Sequence, residues 1–420
     1  MDVIVAGVIF VATYAAIATE RVDRTIAALL GGLLVVALGV VDQHEAFEAI
    51  DLNVIFLLAG MMVIAGVLGR TGFFEWVAGW AVHLSRGRPF RLMVMLAIFT
   101  AVLSAVLDNV TTVILLAPVT IAIADRIRVS AVPYLIALVM ASNIGGTATL
   151  IGDPPNILIG SAAGLSFMDF VLNLGPVVVL IMVAFVGILW LLFGRSLEDD
   201  EERLDVLAEL DPAEAIKDRR LMWRSLIVLT LTVVGFLLHT ALGIEAATVA
   251  LLGAAVLMLV GPVDPHEALA EVEWATLFFF VGLFVLVEAL VHVGIVSGIA
   301  TMVASAAGGD AVVATMAMLW FSAIASAIVD NIPYTATAIP VVHDLVATGL
   351  PAEPLWWALA LGACLGGNLT VVGASANIVV ANVAAREGQR IGFGTFLRYG
   401  IPVVAASLLI STVYVWVRYL

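Results

Sequence analysis

Residues 107–109 read Leu-Asp-Asn, residues 329–331 read Val-Asp-Asn, and each triplet stands in the middle of a long apolar stretch. The first copy lies in the first half of the chain and the second copy in the second half. A carboxylate is among the most costly groups to place at membrane depth, where it usually marks a functional site. Its occurrence at matching places in two halves of one chain predicts a polar site built from an internal repeat.

The composition indicates an integral membrane protein. Hydrophobic residues make up 63% of the chain and charged residues 12%, whereas a soluble domain carries roughly 25% charged residues. The formal charge of −15 comes mostly from acidic loops and indicates no basic patch for nucleic acid. One cysteine, Cys364, excludes a disulfide within the chain and a thiolate metal cluster. The N-terminus lacks a basic region and a cleavage site, so we interpret it as a retained first span rather than a signal peptide.

Ten apolar segments have the length of about 20 residues that a crossing helix needs. They are 3–19, 24–41, 53–69, 131–151 and 172–194 in the first half, and 223–241, 244–262, 274–292, 355–374 and 396–417 in the second. Two longer stretches, 91–124 and 313–342, are interrupted by Asp-Asn at their centres. We predict that each is a re-entrant helical hairpin with Asp-Asn at its tip, because polar backbone at that depth must face protein or water. The expected fold is therefore all-α.

Matching residues recur at a nearly constant offset along the chain. The offset between the two Asp-Asn pairs also relates 42–46 to 264–268, Gly60 to Gly282, and Pro118 to Pro340. A slightly shorter offset relates Gly152 and Asn156 to Gly373 and Asn377. Each half then has five crossings, an odd number, which places the halves in opposite orientations. We predict a first inverted repeat over 1–194, a cytoplasmic linker over 195–222 and a second inverted repeat over 223–420.

The basic side chains predict the orientation in the membrane. With the N-terminus outside, only Arg418 of the 18 Lys and Arg residues lies outside, in agreement with the positive-inside rule. The first hairpin then opens from the cytoplasm and the second from outside. The mixed segments 73–87 and 295–308 are interpreted either as arms along the membrane interface or as ordinary loops.

Two further stretches, 142–156 and 366–377, break a predicted span. Both combine glycines with hydroxyl and amide side chains, and the first contains Asp153-Pro154-Pro155. Pro lacks a backbone donor and Gly permits unusual dihedrals, so we expect unwound helices whose freed carbonyls coordinate a cation. The residues expected to bind the substrate or ion are Asp108, Asn109, Thr111, Thr112, Asn143, Thr147, Gly152, Asp153, Asn156, Asp330, Asn331, Thr335, Asn368, Thr370, Gly373, Ser375 and Asn377.

Residues 108–112, 145–156 and 329–337 resemble the ion transporter superfamily. The resemblance is strongest to the branch of ArsB arsenite permeases, NhaD sodium/proton antiporters and the melanocyte P protein, and it covers nearly the whole chain. It implies a scaffold domain and an elevator-like transport domain, often in a homodimer. The related divalent anion/sodium symporters carry Ser-Asn-Thr at the hairpin tips. On that pattern, residues 108–110 and 330–332 occupy the tips, and Gly152 and Gly373 lie beside coordinated cations.

The departure from Ser-Asn-Thr changes the expected charge of the site. A carboxylate replaces a hydroxyl at both tips, and no Lys or Arg falls within the site stretches, so we expect an acidic empty site. Such a site disfavours citrate unless cations bind with it, and it suits a cation or the neutral arsenous acid. Cys364 aligns with Asn143 and could therefore touch the site, but it is interpreted mainly as a small packing residue.

The sequence therefore predicts a secondary active transporter of the plasma or inner membrane rather than an enzyme. The leading hypothesis is efflux of arsenite or a similar metalloid hydroxide coupled to protons. Sodium/proton antiport and transport of citrate or another carboxylate are the alternatives, and a channel or a non-transporting receptor is the reading from a different class. We expect no cofactor apart from a coupling proton or sodium ion, no resident metal, and a small inorganic solute and membrane lipid as partners. No nucleotide-binding motif occurs, although a soluble ATPase partner is compatible with the chain.

Overall fold

A computed structural model describes residues 2–19, 21–86, 88–194 and 212–420, and these ranges contain helices but no strand. The helices of the first half are α1 Asp2–Thr19, α2 Arg24–Ala37, α3 Gln43–Glu48, α4 Leu52–Arg70, α5 Phe73–Ser85, α6 Pro89–Val106, α7 Asn109–Arg126, α8 Val132–Gly146, α9 Pro154–Ala163, α10 Phe167–Asn173 and α11 Gly175–Phe193. The second half contains α12 Arg219–Leu242, α13 Ala246–Val260, α14 Pro265–Leu269, α15 Trp274–His292, α16 Ile295–Ala307, α17 Ala311–Ile328, α18 Asn331–Ala347, α19 Ala352–Gly366, α20 Ser375–Arg386 and α21 Phe393–Tyr419.

The all-helical membrane fold expected from the sequence is confirmed. By length and composition, nine helices within the described ranges can cross a membrane, or ten if the bent pair α9 and α10 counts as one span. Helices of the two hairpins are among the nine, so helix length alone does not separate a re-entrant hairpin from a crossing. The chain is a multi-pass membrane protein.

The order of helices recurs between the halves. Helices α2 to α7 begin at positions that the offset between the two Asp-Asn pairs relates exactly to the starts of α13 to α18. Even the turn before α5 recurs, because Gly72 and Gly294 both adopt the left-handed conformation that precedes the helix. The opposite orientation of the two halves stays a prediction.

Helices α1–α4 and α12–α15, here called the frame helices, pack closely against one another across the two halves. Helix α2 contacts α15, and α4 contacts α13. A Cβ atom added at Gly282 would lie 2.5 Å from the carbonyl carbon of Ala28, and one added at Gly60 would lie 2.7 Å from that of Ala250. The repeat relates these two contacts to each other. Glycine lets helices in a membrane approach this closely, and van der Waals packing then holds them together.

Helices α6–α11 and α17–α21 form a second group that we call the site helices, and α5 and α16 belong to neither group. Within it α6 packs on α8, α17 on α19, α7 on α20, and α9 on α18 and α19. Both predicted hairpins occur as two helices with a short break. Helix α6 ends at Val106 and α7 begins at Asn109, while α17 ends at Ile328 and α18 begins at Asn331. The break falls at the Asp-Asn pair in both cases.

The structure corrects the bounds of several predicted spans. The span predicted at 131–151 ends at Gly146, and an unpredicted half-helix, α9, follows after an unwound turn. The span predicted at 355–374 likewise ends at Gly366 and continues as α20 after two short 3-10 turns. Proline also begins a helix here, because Pro154 occupies the first turn of α9, where its missing N–H leaves no bond unmade. Helix α2 ends before residue 41 because Gly39 has a φ of +72°.

The end of the predicted linker packs against the start of α5. Residues 195–211 of the predicted linker lie outside the described ranges, and α12 begins at Arg219, before the predicted end of the linker at 222. The backbone N–H of Lys217 donates to the carbonyl of Thr71 over 2.9 Å, and its ammonium lies 3.1 Å from a Glu75 carboxylate oxygen. The segments 73–87 and 295–308 are helical, and their place at the membrane interface stays a prediction.

Cysteine labelling tests the predicted topology. With Cys364 replaced by Ala, we expect a membrane-impermeant maleimide added to intact cells to label Glu353→Cys and not Ser196→Cys. Glu353 is exposed at the start of α19, and Ser196 belongs to the linker beyond the described residues. Permeabilised cells, in which both positions should react, provide the control. Labelling at Ser196→Cys alone in intact cells would reverse the orientation.

Candidate functional site

The two hairpin tips meet at one carboxylate. The side-chain amides of Asn109 and Asn331, the first residues of α7 and α18, each donate to Oδ1 of Asp153 over 3.1 Å. Asp153 has no exposed surface and stands immediately before α9. The sequence-predicted residues of the two tips and of the first broken stretch are therefore brought together around a single oxygen atom.

A row of buried amides extends from this junction to the second broken stretch. The amide of Asn109 also donates to Asn143 Oδ1 over 3.2 Å. Asn143 in turn donates to Asn368 Oδ1 over 2.9 Å and to Asn377 Oδ1 over 3.0 Å. All four side chains are at most 2% exposed. Hydrogen bonds in such a buried network reinforce one another and hold the two halves in register at the site.

Several oxygen atoms around the first tip have no hydrogen-bond donor. Oδ1 of Asp108 accepts the backbone N–H of Thr111 over 2.8 Å, which is the usual capping bond at a helix start. Within the described ranges, no group donates to Oδ2 of Asp108, to Oδ2 of Asp153 or to Oδ1 of Asn109. A buried acceptor without a donor is costly. Carboxylate and amide oxygens are also the ligands that hard cations prefer, so the first tip fits a cation or a proton.

The second tip is neutralised by a residue from a distant helix. Oδ2 of Asp330 lies 3.6 Å from Nη1 of Arg24, the first residue of α2. Arg24 Nη1 also donates to the hydroxyl of Ser375, which itself donates to Asp330 Oδ2 over 2.9 Å. The expectation of an acidic empty site without a basic side chain is thus wrong at this tip. That expectation was based on the site stretches alone, whereas Arg24 belongs to the frame helices and reaches the tip from there.

The backbone at the second tip is strained. Asp330 has a φ of +85°, in a region that non-glycine residues rarely adopt, whereas Asp108 at the equivalent position has a φ of −85°. Such a conformation costs on the order of 1–3 kcal/mol and persists only where surrounding contacts hold it. Those contacts include the bond from the N–H of Ile332 to Asp330 Oδ1, over 3.0 Å, and the Arg24 pair.

Four carbonyls in the unwound turns accept hydrogen bonds from asparagine side chains. The amide of Asn156 donates to the carbonyls of Thr147 and Thr149 over 3.1 and 2.9 Å. The amide of Asn377 donates to those of Gly367 and Thr370, each over 2.8 Å. The two asparagines therefore bind the unwound turns, and coordination of a cation by the second lone pairs of these carbonyls stays a prediction.

The remaining candidate residues support the backbone around the site. The hydroxyls of Thr147, Thr335 and Thr370 each donate to a backbone carbonyl, at 2.6 to 2.7 Å. Gly152 and Gly373 pack against the backbones of Gly146 and Gly367. Of the candidate threonines, Thr111 contributes its backbone N–H to Asp108, and Thr112 has a buried hydroxyl without a partner among the described residues.

Sequence reasoning missed Arg24 and gave too little weight to Cys364. The thiol of Cys364 is fully buried and lies 3.5 Å from Oδ1 of Asn156, so it borders the polar network rather than packing apart from it. The alignment of Cys364 with Asn143 was the signal for this position. For Arg24 the sequence carried no such signal, because Ser375 lies 351 residues further along the chain.

Two helical hairpins that meet two broken helices at a buried polar centre, inside a multi-pass helical fold, define this chain as a membrane transporter. A sequence profile described as "Citrate transporter", named CitMHS, matches residues 14–362, and the chain belongs to this family. The match runs from α1 to α19 and includes both hairpin tips and Asp153.

Individual relatives agree with this assignment. An uncharacterized transporter of Mycobacterium tuberculosis strain H37Rv is 48% identical over 423 residues, which cover 99% of this chain and 98% of that protein. The P protein of Homo sapiens is 33% identical over 503 residues, covering all of this chain and 60% of its own length. The crystal structure of the Alcanivorax borkumensis YdaH transporter is similar in fold, with a TM-score of 0.54, 18% identity, and coverage of 92% of this chain and 88% of its own.

Proposed function

We propose that the protein is a secondary active transporter in which a cation binds at the first hairpin tip, and that it exchanges sodium for protons. The observation that carries the proposal is the set of buried acceptors without a donor among the described residues: Oδ2 of Asp108, Oδ2 of Asp153 and Oδ1 of Asn109. Carboxylate and amide oxygens of this kind are the ligands that hard cations such as sodium prefer. A proton on either carboxylate would neutralise the same charge, so the two cations would compete.

Arsenite and citrate are the alternative substrates, and the same site allows each to be compared with sodium. Efflux of arsenite remains a prediction from the resemblance, and Cys364 offers one soft donor beside the network. Citrate is favoured by the description of the family. The positive charge of Arg24 is already paired with Asp330, so a citrate carboxylate would have to compete for it or enter with cations. The geometry supports a cation as cargo better than either.

We also propose that the site helices move as one body against the frame helices. We further propose that the two halves of the chain have opposite orientations in the membrane, which the following contacts support. Thr25 at the start of α2 donates to the carbonyl of Ala275 at the start of α15, and a Cβ at Gly32 would lie 3.3 Å from Val285. Helices α2 and α15 therefore run in the same direction. Because α2 and α4 are successive crossings, this supports opposite directions for α4 and its counterpart α15. A homodimer stays a prediction.

Flux measurements in proteoliposomes test the function. We expect uptake of radioactive sodium to be driven by an opposing pH gradient alone, and to saturate with sodium concentration. At equal pH on both sides, acidification from pH 8 to pH 6 should raise the half-saturating sodium concentration, because protons compete for the same carboxylates. Saturable exchange would also separate transport from a channel.

The same vesicles distinguish the alternatives. Arsenite and citrate uptake are measured in parallel, each with and without sodium, and protein-free liposomes provide the background. Arsenite flux driven by a pH gradient without sodium would replace the proposal with the metalloid hypothesis. Citrate uptake that requires sodium, together with no sodium/proton exchange, would replace it with carboxylate transport.

A further inference from the structure

Arg24 contributes a fixed positive charge that belongs to the frame helices and contacts the site helices. Its guanidinium lies over the ring of Phe279, 5.4 Å from the ring centroid, and Phe279 is part of α15 in the frame. On its other side the guanidinium contacts Asp330 and Ser375, which belong to the site helices. The side chain of Arg24 is 27% exposed and that of Asp330 is 8% exposed. This ion pair therefore joins the two groups of helices.

The pairing of a tip carboxylate with an arginine of the frame helices occurs at only one of the two repeat-related positions. The offset that relates Asp108 to Asp330 places Ala246 at the equivalent of Arg24, and the offset that relates Gly152 to Gly373 places Pro154 at the equivalent of Ser375. The carboxylate oxygen that pairs with Arg24 at the second tip corresponds to the Asp108 oxygen that has no partner among the described residues at the first. The guanidinium thus takes, at the second tip, the place that a bound cation would take.

We propose that a transported cation also binds at the second tip, that Arg24 is an internal competitor of this cation at Asp330, and that Arg24 acts on only one side of the membrane. The inference rests on the proposed function. Two unit positive charges about 4 Å apart inside a protein repel strongly, so a cation and the Arg24 guanidinium exclude each other at Asp330. Because Arg24 belongs to the frame, it meets Asp330 only in the conformation described here. When the site faces the opposite end of the frame, the equivalent residue is Ala246, which carries no charge.

The consequence is a difference in cation affinity between the two faces. If the form in which Arg24 has left Asp330 makes up about a tenth of the population, the apparent dissociation constant rises about tenfold. This rise occurs only at the face where Arg24 lies, which is the cytoplasmic face in the predicted topology. Cations are therefore released at the face where Arg24 lies and captured at the other face. In the empty carrier, Arg24 neutralises the charge of Asp330 at the second tip.

The test is the sidedness of sodium affinity. Wild-type protein and Arg24→Gln are reconstituted in liposomes in a known orientation, and the half-saturating sodium concentration is measured at each face by radioactive sodium flux. We expect Arg24→Gln to lower this concentration about tenfold at the Arg24 face and to leave the opposite face unchanged. Arg24→Lys, which keeps the charge, should retain the wild-type difference. Arg21→Gln, a change of an exposed arginine shortly before α2, is the matched control.

A mirror variant keeps the test decisive if Arg24→Gln does not fold. Ala246→Arg should raise the half-saturating sodium concentration at the opposite face, because it places a guanidinium at the equivalent position. Equal affinities at both faces in wild type, or an equal change at both faces in Arg24→Gln, would overturn the inference while leaving sodium/proton exchange intact. Wild-type protein without any cation-dependent flux would instead refute the proposed function, and the inference would fail with it.

Discussion

Replacing Asp108 by Asn is expected to reduce sodium-dependent flux to the background of protein-free liposomes. The substitution keeps the shape of the side chain and an oxygen that can accept the capping bond from Thr111, but it removes the charge from a buried carboxylate. In the proposed site the Asp108 carboxylate and the sodium ion form a buried charge pair. Removing one partner of such a pair costs about 2–5 kcal/mol. A loss of about 3 kcal/mol lowers affinity more than a hundredfold. Asp330→Asn should also abolish coupled flux, because it leaves the Arg24 charge without its partner.

The measurement is initial sodium uptake, with protein yield and monodispersity in detergent as the check on folding. Asp125→Asn is the matched control, since Asp125 is exposed near the end of the same helix α7. We expect this variant to transport at the wild-type rate. Wild-type flux in both Asp108→Asn and Asp330→Asn would show that the tip carboxylates are structural, and the proposal of a cation site at the tips would be abandoned.

Adding a single methyl group at Gly152 is expected to disrupt the site from within. A Cβ atom there would lie 2.6 Å from the Cα of Gly146 and 2.6 Å from the carbonyl oxygen of Ser104. Both neighbours are backbone and cannot turn away as a flexible side chain could. Overpacking of this kind costs about 1–3 kcal/mol. Because the turn leads directly into Asp153, we expect Gly152→Ala to lose most of its flux and to melt at a lower temperature.

The control for this prediction is another glycine-to-alanine change in the same half. A Cβ at Gly187, within α11, would meet nothing within 4 Å, and alanine is the better helix former. Gly187→Ala should therefore transport normally and melt at the wild-type temperature or above it. Normal flux together with normal melting in Gly152→Ala would mean that the unwound turn tolerates a side chain, and the rigid packing described for it would be incorrect.

The parts of this fold that follow from local chemistry were predictable from the sequence. An Asp-Asn pair inside an apolar stretch is a strong local signal for a helix break, and both hairpin breaks fall at 107–108 and 329–330 as expected. The recurrence of whole motifs at a fixed offset likewise predicted the recurring order of helices. The half-helices α9 and α20 were not predicted. The residues at which a helix resumes after a broken turn give the same local signals as a loop at the end of a helix.

The parts that depend on distant contacts were not predictable. The sequence indicated that Asp153 was a candidate, but not that the amides of both tips would meet at its Oδ1 atom. The pairing of Arg24 with Asp330 depends on how the frame and site helices pack together, which a local pattern does not report. The asparagines that end the two broken stretches were predicted as ligands. In the structure the amides of Asn156 and Asn377 donate to backbone carbonyls of their own turns, and their role as ligands stays a prediction.

The shared oxygen of Asp153 couples the two halves of the site directly. Asn109 and Asn331 begin helices from different repeats, yet both donate to the same atom, and each bond weakens if that atom is drawn toward an ion. A change at one tip therefore alters the other tip through a single intervening atom, and no helix has to move to transmit it. An ion that drew this oxygen away from one amide would therefore also lengthen its bond to the other amide. Occupancy is in this sense a property of the whole molecule rather than of either half.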